Sequence, residues 1–226
     1  MKIFTKIYRK IYKYFKPEQY ESFALDKLDI KLLSYLNFKR GFFIEAGAND
    51  GISQSNTLLF EKKLKWKGLL IEPIPELAVS CKINRPGCIV ENYALVPFDY
   101  PEKEIEMRYS NLMSLVKGAM GSEREEIEHV QKGCEIQDVI TYEIRVPVAT
   151  LTALLEKHKI SKIDLLSLDV EGYELSVLKG IDFRKFKPRF ILVEARFKQE
   201  IENYLRDLYS PIAQIGYYDI LFKLKN

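Results

Sequence analysis

The chain has 226 residues, enough for one α/β domain with an appendage, and its 47% hydrophobic and 30% charged residues exclude a disordered polymer. A net charge of +3 is too small to argue for a nucleic-acid partner. Three cysteines and two histidines, His129 and His158, leave little for a disulfide framework, a zinc cluster or a hydrolase triad.

Residues 2–16 (KIFTKIYRKIYKYFK) carry six bases and no acid, so the rest of the chain is neutral to slightly acidic. At about 100° per residue, Ile3, Phe4, Ile7, Tyr8, Ile11, Tyr14 and Phe15 share one half of a helical wheel and the bases share the other. Such a helix fits three uses: docking on the domain, lying on an anionic membrane surface, or binding a partner. Pro17 ends the pattern, and residues 24–36 (ALDKLDIKLLSYL) read as a second amphipathic helix. Residues 1–38 are thus a helical segment ahead of a main domain at 39–226. No apolar run reaches the roughly 18 residues needed to span a bilayer. With no apolar core and cleavage site of a secretion signal, reduced thiols and a cytoplasmic setting are expected, with residues 2–16 as the membrane-peripheral element.

Strand and helix signals then alternate. GFFIEAG, KGLLIEP and GCIVENYAL are short apolar strands, separated by SNTLLFEKKL, with Ser55 or Asn56 as its N-cap, and by IPELAVSCKIN. Apolar strands separated by helices indicate a parallel sheet covered on both faces. From 97 to 146 the rhythm lapses: KEIEMRY and DVITYEIRVPV read as strands, SEREEIEHVQ as an exposed helix, and SNLMSLVKGAMG as a flexible stretch. An insertion of this length suits a lid over a substrate. Alternation resumes with helix TLTALLEKH, strand KIDLLSLDV, helix ELSVLKG, strand PRFILVEA, helix KQEIENYLRDLY and strand GYYDILFKL.

The strands end in acids: Glu45 and Asp50 at the first turn, then Glu72, then Asp169 and Glu171, then Glu194. In an open parallel sheet ligands bind beyond the carboxyl ends of the strands. Like charges gathered on that edge repel unless something there uses them. The turn GANDG lacks the middle glycine of a dinucleotide fingerprint, and the preceding acid would repel a pyrophosphate. A ligand carrying ammonium and sulfonium cations suits it better, with Glu72 accepting from ribose hydroxyls.

FIEAGANDG, GLLIEP, ENYAL, IDLLSLDVEGYELSVLKG and FILVE occur together in an order and spacing that resembles the FkbM-type methyltransferase family, over roughly residues 40–196. The resemblance implies a class I, Rossmann-like fold: a mostly parallel seven-strand sheet with helices on both faces, binding S-adenosylmethionine. It implies that Glu45, Gly47, Ala48, Asn49 and Gly51 line the methionine end of the donor. Glu72 takes the ribose, Asn92 and Ala94 flank the adenine, and Asn56 and Pro73 join the donor set. Asp169, in LDVEG, lies beside the methyl-transfer centre. Many relatives carry Lys where this chain has Ser167.

Family members typically O-methylate hydroxyls of sugars or secondary metabolites, so the resemblance implies an O-methyltransferase acting on a saccharide or small molecule. Asp169 is the first choice as base, with Glu171 and Glu194 next. Glu171 reads equally well as a helix N-terminal acid; His129 could instead be a base delivered by the insertion, though alone in a charged helix it reads more simply as solvated. Asp169 and Glu194, with Glu171, could also gather a divalent cation such as Mg²⁺. Two alternatives remain: a non-catalytic binding module recruited through residues 2–16, and an RNA methyltransferase. The second is disfavoured by weak basicity outside residues 1–16 and the lack of an NPPY-like motif.

Overall fold

The apolar run FFIEA forms β1 (Phe42–Ala46), the strand on which the fold is centred in the computed structural model, which describes residues 21–225. In chain order β2 (Lys67–Ile71) and β3 (Ile89–Glu91) follow. Next come the strands of the insertion, β4 (Ala94–Leu95), β5 (Glu104–Arg108), β6 (Leu115–Val116) and β7 (Glu143–Ala149). The chain ends with β8 (Leu165–Leu168), β9 (Phe190–Glu194), β10 (Tyr209–Gln214) and β11 (Asp219–Leu224). Seven of these make one sheet in the order β10-β11-β9-β8-β1-β2-β3, in which only β11 runs antiparallel to its neighbours. This is the mostly parallel seven-strand sheet expected from the sequence. Strand order reverses between β1 and β8, so the carboxyl ends of β1, β2 and β8 open onto a crevice.

Side chains alternate across the strands, and both faces bury them. Ile44, Leu69, Leu166 and Ile191 lie in one row and pack with α5 (Leu151–Lys157), α6 (Glu174–Leu178) and α7 (Lys198–Leu205). On the opposite face Phe43, Leu70, Leu165 and Leu192 pack with α1 (Leu28–Leu32), α2 (Leu58–Leu64), Cys81 of α3 (Pro75–Asn84) and Trp66. Trp66 lies beneath the second strand as its flanking residues suggest, and its Nε1 donates to the Phe38 carbonyl at 2.6 Å. The insertion adds a second sheet, β4-β7-β5-β6, with its own small core of Ile105, Met107, Val116 and Val146, and a 15-residue helix, α4 (Glu123–Gln137).

Several boundaries differ from the sequence reading. GCIVENYAL does not stay one strand: it splits at Asn92, with β3 in the main sheet and β4 paired to β7. The helix expected over 24–36 is a 3-10 turn, Leu25–Lys27, followed by α1, because Asp26 and Lys27 take left-handed backbone. The helix expected to reach Tyr209 ends at Leu205, and Tyr209 opens β10. Pro211 disguises that strand in the sequence. It is tolerated because β10 is the sheet's edge, where a missing N–H costs little. Helix α2 starts at Leu58; Ser55 Oγ accepts from the amides of Thr57 (3.3 Å) and Leu58 (3.1 Å) and so caps it from outside. The helix read over 2–16 lies outside the described residues. No helix among the described residues is long and apolar enough to cross a membrane.

Glu45 is the hub of the loop between β1 and α2. Its carboxylate accepts from Asn56 N (2.8 Å), Ser55 Oγ (3.0 Å) and Thr57 Oγ1 (2.6 Å), and Arg85 Nη1 lies 3.9 Å away. Arg85, whose side chain is wholly buried, also pairs through Nε with Glu61 and donates to the Gly51 carbonyl at 2.8 Å. Removing one partner of a buried pair strands the other charge, at a cost of about 3–5 kcal/mol. Arg85→Met is therefore expected to lower unfolding free energy by about that amount in urea titration. A loss below about 1 kcal/mol would contradict this role.

Candidate functional site

Beyond the ends of β1, β2 and β8 lies a cavity of about 320 Å³. Its floor begins at Gly47, whose φ of 82° suits glycine; a Cβ there would sit 1.9 Å from the Asp169 carbonyl oxygen. The first loop and the β8 loop thus touch through backbone, which no larger residue permits. Asn49, also left-handed at φ 48°, follows and lines the wall.

Glu72 continues the wall at the end of β2. Its Oε2 accepts from Asn49 N at 2.8 Å and its Oε1 from Ile74 N at 2.9 Å, which fixes the carboxylate between two loops. Burial pushes its pKa up to about 7, against the lowering by those two amides. Pro73, Tyr93, Ala94 and Leu95 carry the lining onward. Asn92 does not reach the cavity: its Nδ2 donates to the carbonyls of Glu72 and Pro73, each at 2.8 Å, and so shapes the loop from behind.

Four other residues assigned to the donor by resemblance also stand outside the lining. Glu45 and Asn56 belong to the buried network around Arg85, with Asn56 Nδ2 3.3 Å from Ser167 Oγ. Ala48 lies in the core beneath the sheet. Gly51 backs onto Arg85 and Cys81. Gly47, Asn49, Glu72, Pro73, Ala94 and Asp169 do converge on the cavity.

The third wall is acidic. Asp169, Glu171 and Glu194 bring one carboxylate oxygen each to within 4.8 Å of one another. Glu171 sits at φ 54°, ahead of Gly172 at φ 97°, in a turn whose amides at Val170 and Gly172 donate to Glu174. A non-glycine residue held left-handed marks a constrained site. Arg196 supplies the cation: its Nη2 donates to Glu171 Oε2 at 2.6 Å and to Glu194 Oε1 at 3.2 Å. With all three ionised, one guanidinium against three carboxylates would leave excess negative charge, and the wall meets this by holding protons. Burial, then the charge of Glu171, pushes Glu194 up to about 8. Asp169 stays open to the cavity's solvent, yet the surrounding protein, then Glu194 and Glu171, hold its carboxyl well above the usual range.

The insertion forms the roof. Met107, Leu112, Met113, Val116 and Ile136 line the cavity from above, and Asn111 Oδ1 accepts from Asn49 Nδ2 at 3.0 Å. Helix α4 is pinned by Arg108, which pairs with Glu126 at 3.1 Å and Glu123 at 2.9 Å. His129 is not solvated: its side chain is 9% exposed and its Nε2 lies 3.2 Å from Glu171 Oε2. Arg196 thus escapes the sequence reading, where His129 is weighed as a base but reads more simply as solvated. Arg196 stands two residues beyond the strand-end acid of FILVEAR, where only its position hinted at a role. His129 shares the buried stripe of α4 with Glu126, Val130 and Gly133, a three- and four-residue spacing that the surrounding charges mask.

A family model described as "Methyltransferase FkbM domain" matches residues 45–217. No curated protein matches the chain. Among solved structures, a human methyltransferase 10 domain containing protein is 13% identical, over 88% of this chain and 81% of that chain, with a TM-score of 0.48. A Methanococcus jannaschii fibrillarin pre-rRNA processing protein is 12% identical, over 83% and 67%, at 0.45. A Bacillus cereus O-methyltransferase in complex with SAH is 9% identical, over 97% and 91%, at 0.44.

The raised carboxyls link stability to pH. Glu72 and Glu174, each held at about 7, and Glu194, at about 8, keep protons in the fold that the unfolded chain loses near 4.5. Their contribution is complete below the unfolded value and is lost as pH rises through the folded ones. The melting temperature of the protein without added ligand should fall between about pH 5 and about pH 8, by roughly 5 °C or more. Glu194→Gln should flatten that slope in thermal scans across the range. A melting temperature that rises over the same interval would contradict the assignment.

Proposed function

The chain belongs to the FkbM methyltransferase family, and on that premise we propose that it transfers the methyl group of S-adenosylmethionine to a hydroxyl oxygen of a saccharide or small metabolite. The observation that carries this reading is the joining, in one cavity, of a buried strand-end acid, Glu72, and an under-neutralised acidic wall around Asp169. The first suits the ribose diol, and the second suits a cation. S-adenosylmethionine, when bound, supplies a methyl carbon activated by the neighbouring sulfonium.

The chain's own residues divide the work. Gly47 and Asn49 face the methionine end, where the missing Cβ leaves room for close approach. Glu72 accepts from the ribose, with Pro73 turning the chain beneath it. Tyr93, Ala94 and Leu95 give an apolar wall suited to adenine. Asp169 receives the acceptor's hydroxyl proton, with Glu194 and Glu171 completing the acidic wall. A carboxylate whose pKa is raised is a stronger base than an ordinary one, which matches the task of deprotonating an alcohol. Arg196 keeps Glu171 and Glu194 in place and limits their mutual repulsion. The roof excludes water and aligns the acceptor.

A divalent cation at Asp169, Glu171 and Glu194 would have to share their oxygens with the Arg196 guanidinium, which already pairs with two of them. We therefore route no step through a metal. Nucleic acid is a poor acceptor for this surface, because the roof helix carries Glu123, Glu125, Glu126, Glu128 and Glu135 against Arg124 and Lys132.

Calorimetric titration tests the reading. The wild-type chain should bind S-adenosylmethionine and S-adenosylhomocysteine, and Glu72→Ala should weaken both by about tenfold or more. Asp169→Asn should keep S-adenosylhomocysteine binding but lower methyl transfer to a hydroxylated acceptor by about 100-fold or more. Absence of binding in the wild type would overturn the function, and unchanged transfer in Asp169→Asn would overturn the base.

A further inference from the structure

The hairpin between β10 and β11 returns to the edge of the sheet on which the cavity opens. Asp219 pairs with Glu194 across β11 and β9, so the residues just before Asp219 stand beyond the end of β9, beside the acidic wall. Four bonds hold this tip. Ala195 N donates to the Tyr218 carbonyl at 2.9 Å and Ile215 N to the Asp219 carbonyl at 2.9 Å. Gln214 Nε2 donates to the Tyr217 carbonyl at 2.8 Å, and Lys31 Nζ, from α1, to the Ile215 carbonyl at 2.7 Å. A tip so braced presents its side chains in fixed positions. It nevertheless carries Tyr217, the most exposed aromatic ring among the described residues at 79%, set edge-on to Tyr218 at 4.6 Å.

These two rings line a second hollow, of about 600 Å³, with Arg196, Lys198 and Gln214. Arg196 lines the first cavity as well, so the two hollows meet at one guanidinium. Its Nη2 bonds to Glu171 and Glu194, and its central carbon lies 5.3 Å from the centre of the Tyr218 ring. The hollows differ in charge. No carboxylate lines the second among the described residues, while two bases and two tyrosines do, so a sulfonium finds no counter-charge there. Its volume lies in the usual range of ligand sites, roughly 300–1,000 Å³.

The groups present describe the ligand. An aromatic face, negative at its centre, receives the C–H face of a saturated ring, and Lys198 supplies a donor to oxygens on that ring's edge. Where the hollows meet, two buried polar atoms have no hydrogen-bond partner among the described residues: Glu194 Oε2 and Arg196 Nε. Buried polar atoms are seldom left so. Arg196 Nε only donates, and a carboxyl oxygen accepts, or donates when protonated. Hydroxyl groups, which do both, complement the pair.

We propose that the groove of Tyr217, Tyr218 and Lys198 is a second acceptor subsite: when a hydroxyl of one sugar ring lies at Asp169, the adjoining ring stacks on Tyr217 and Tyr218. The acceptor is then a saccharide of at least two rings. The subsite stands on the groove, and its part in placing the methylated hydroxyl rests on the methyl-transfer reading above. The second ring adds binding energy remote from the reacting oxygen and fixes which hydroxyl meets the donor.

Binding of the protein to a printed array of mono-, di- and trisaccharides tests the subsite. The wild type should bind di- or trisaccharides and not the single rings that compose them. Tyr217→Ala, at an exposed position, should weaken that binding by about tenfold, and Tyr217→Phe, which keeps the ring face, should retain it. By calorimetry the affinity of Tyr217→Ala for S-adenosylhomocysteine should stay within about twofold of wild type. With the tightest-bound saccharide as acceptor, Tyr217→Ala should raise KM by about tenfold. An array on which no saccharide of two or more rings is bound overturns the proposal. So does binding that is unchanged in Tyr217→Ala, or equal for the single rings. Saccharide binding that depends on Tyr217, in a wild type that binds no S-adenosylhomocysteine, overturns the methyl-transfer reading and leaves the subsite standing.

Discussion

Carboxylates crowded at the end of a parallel sheet set the terms for the rest of this structure. Asp169, Glu171 and Glu194 share a space less than 5 Å across, and Arg196, the only guanidinium bonded to them among the described residues, holds two of the three. Charge in such surroundings is costly unless it is paired. The protein meets the cost in part by proton retention, with Glu194 near 8 and Asp169 well above its ordinary range. What remains is a preference for a cationic ligand. That is the electrostatic basis on which we place a sulfonium donor here rather than a pyrophosphate.

Much of the surrounding architecture serves to hold that wall in place. Gly47 lets the β1 loop press on the Asp169 backbone. Glu174 ties down the turn that carries Glu171, and His129 reaches the same carboxylate from the roof. On the far side of the sheet the Glu45–Arg85–Glu61 network fixes the loop from which Asn49 emerges. Two buried ionic centres thus flank β1. The one behind the sheet is closed and hydrogen-bonded around Glu45 and Arg85, while the one in front opens to the cavity. The first gives the loop its shape, and the second gives it chemistry.

The sheet was legible in the sequence because buried parallel strands are short apolar runs stopped by acids, glycines and prolines, and each of β1, β2, β8 and β9 has that form. Its edge was less legible, since Pro211 and the polar residues of β10 resemble a loop. The site was legible to the extent that its residues lie past the ends of strands. Glu72 and Asp169 lie past them and reach the cavity. Glu45 lies within β1, one residue before Ala46, and alternation turns it to the other face, where Arg85 waits. Strand parity therefore separates the two acids, which strand-end position alone treats alike. His129 and Arg196 depend on long-range packing, of an insertion helix on a turn and of a loop on its neighbour, and no local pattern fixes either.

The claim on which the rest turns is that the cavity's negative charge is matched to a cation. It is tested most directly by the protons exchanged on binding, from calorimetric titrations near pH 7.5 in two buffers of different ionisation enthalpy. Binding of S-adenosylmethionine should release protons, because a sulfonium beside Asp169 and Glu194 lowers their raised pKa values, and S-adenosylhomocysteine should release fewer. Equal release by both ligands, or proton uptake with S-adenosylmethionine, would contradict a site built around the donor's charge.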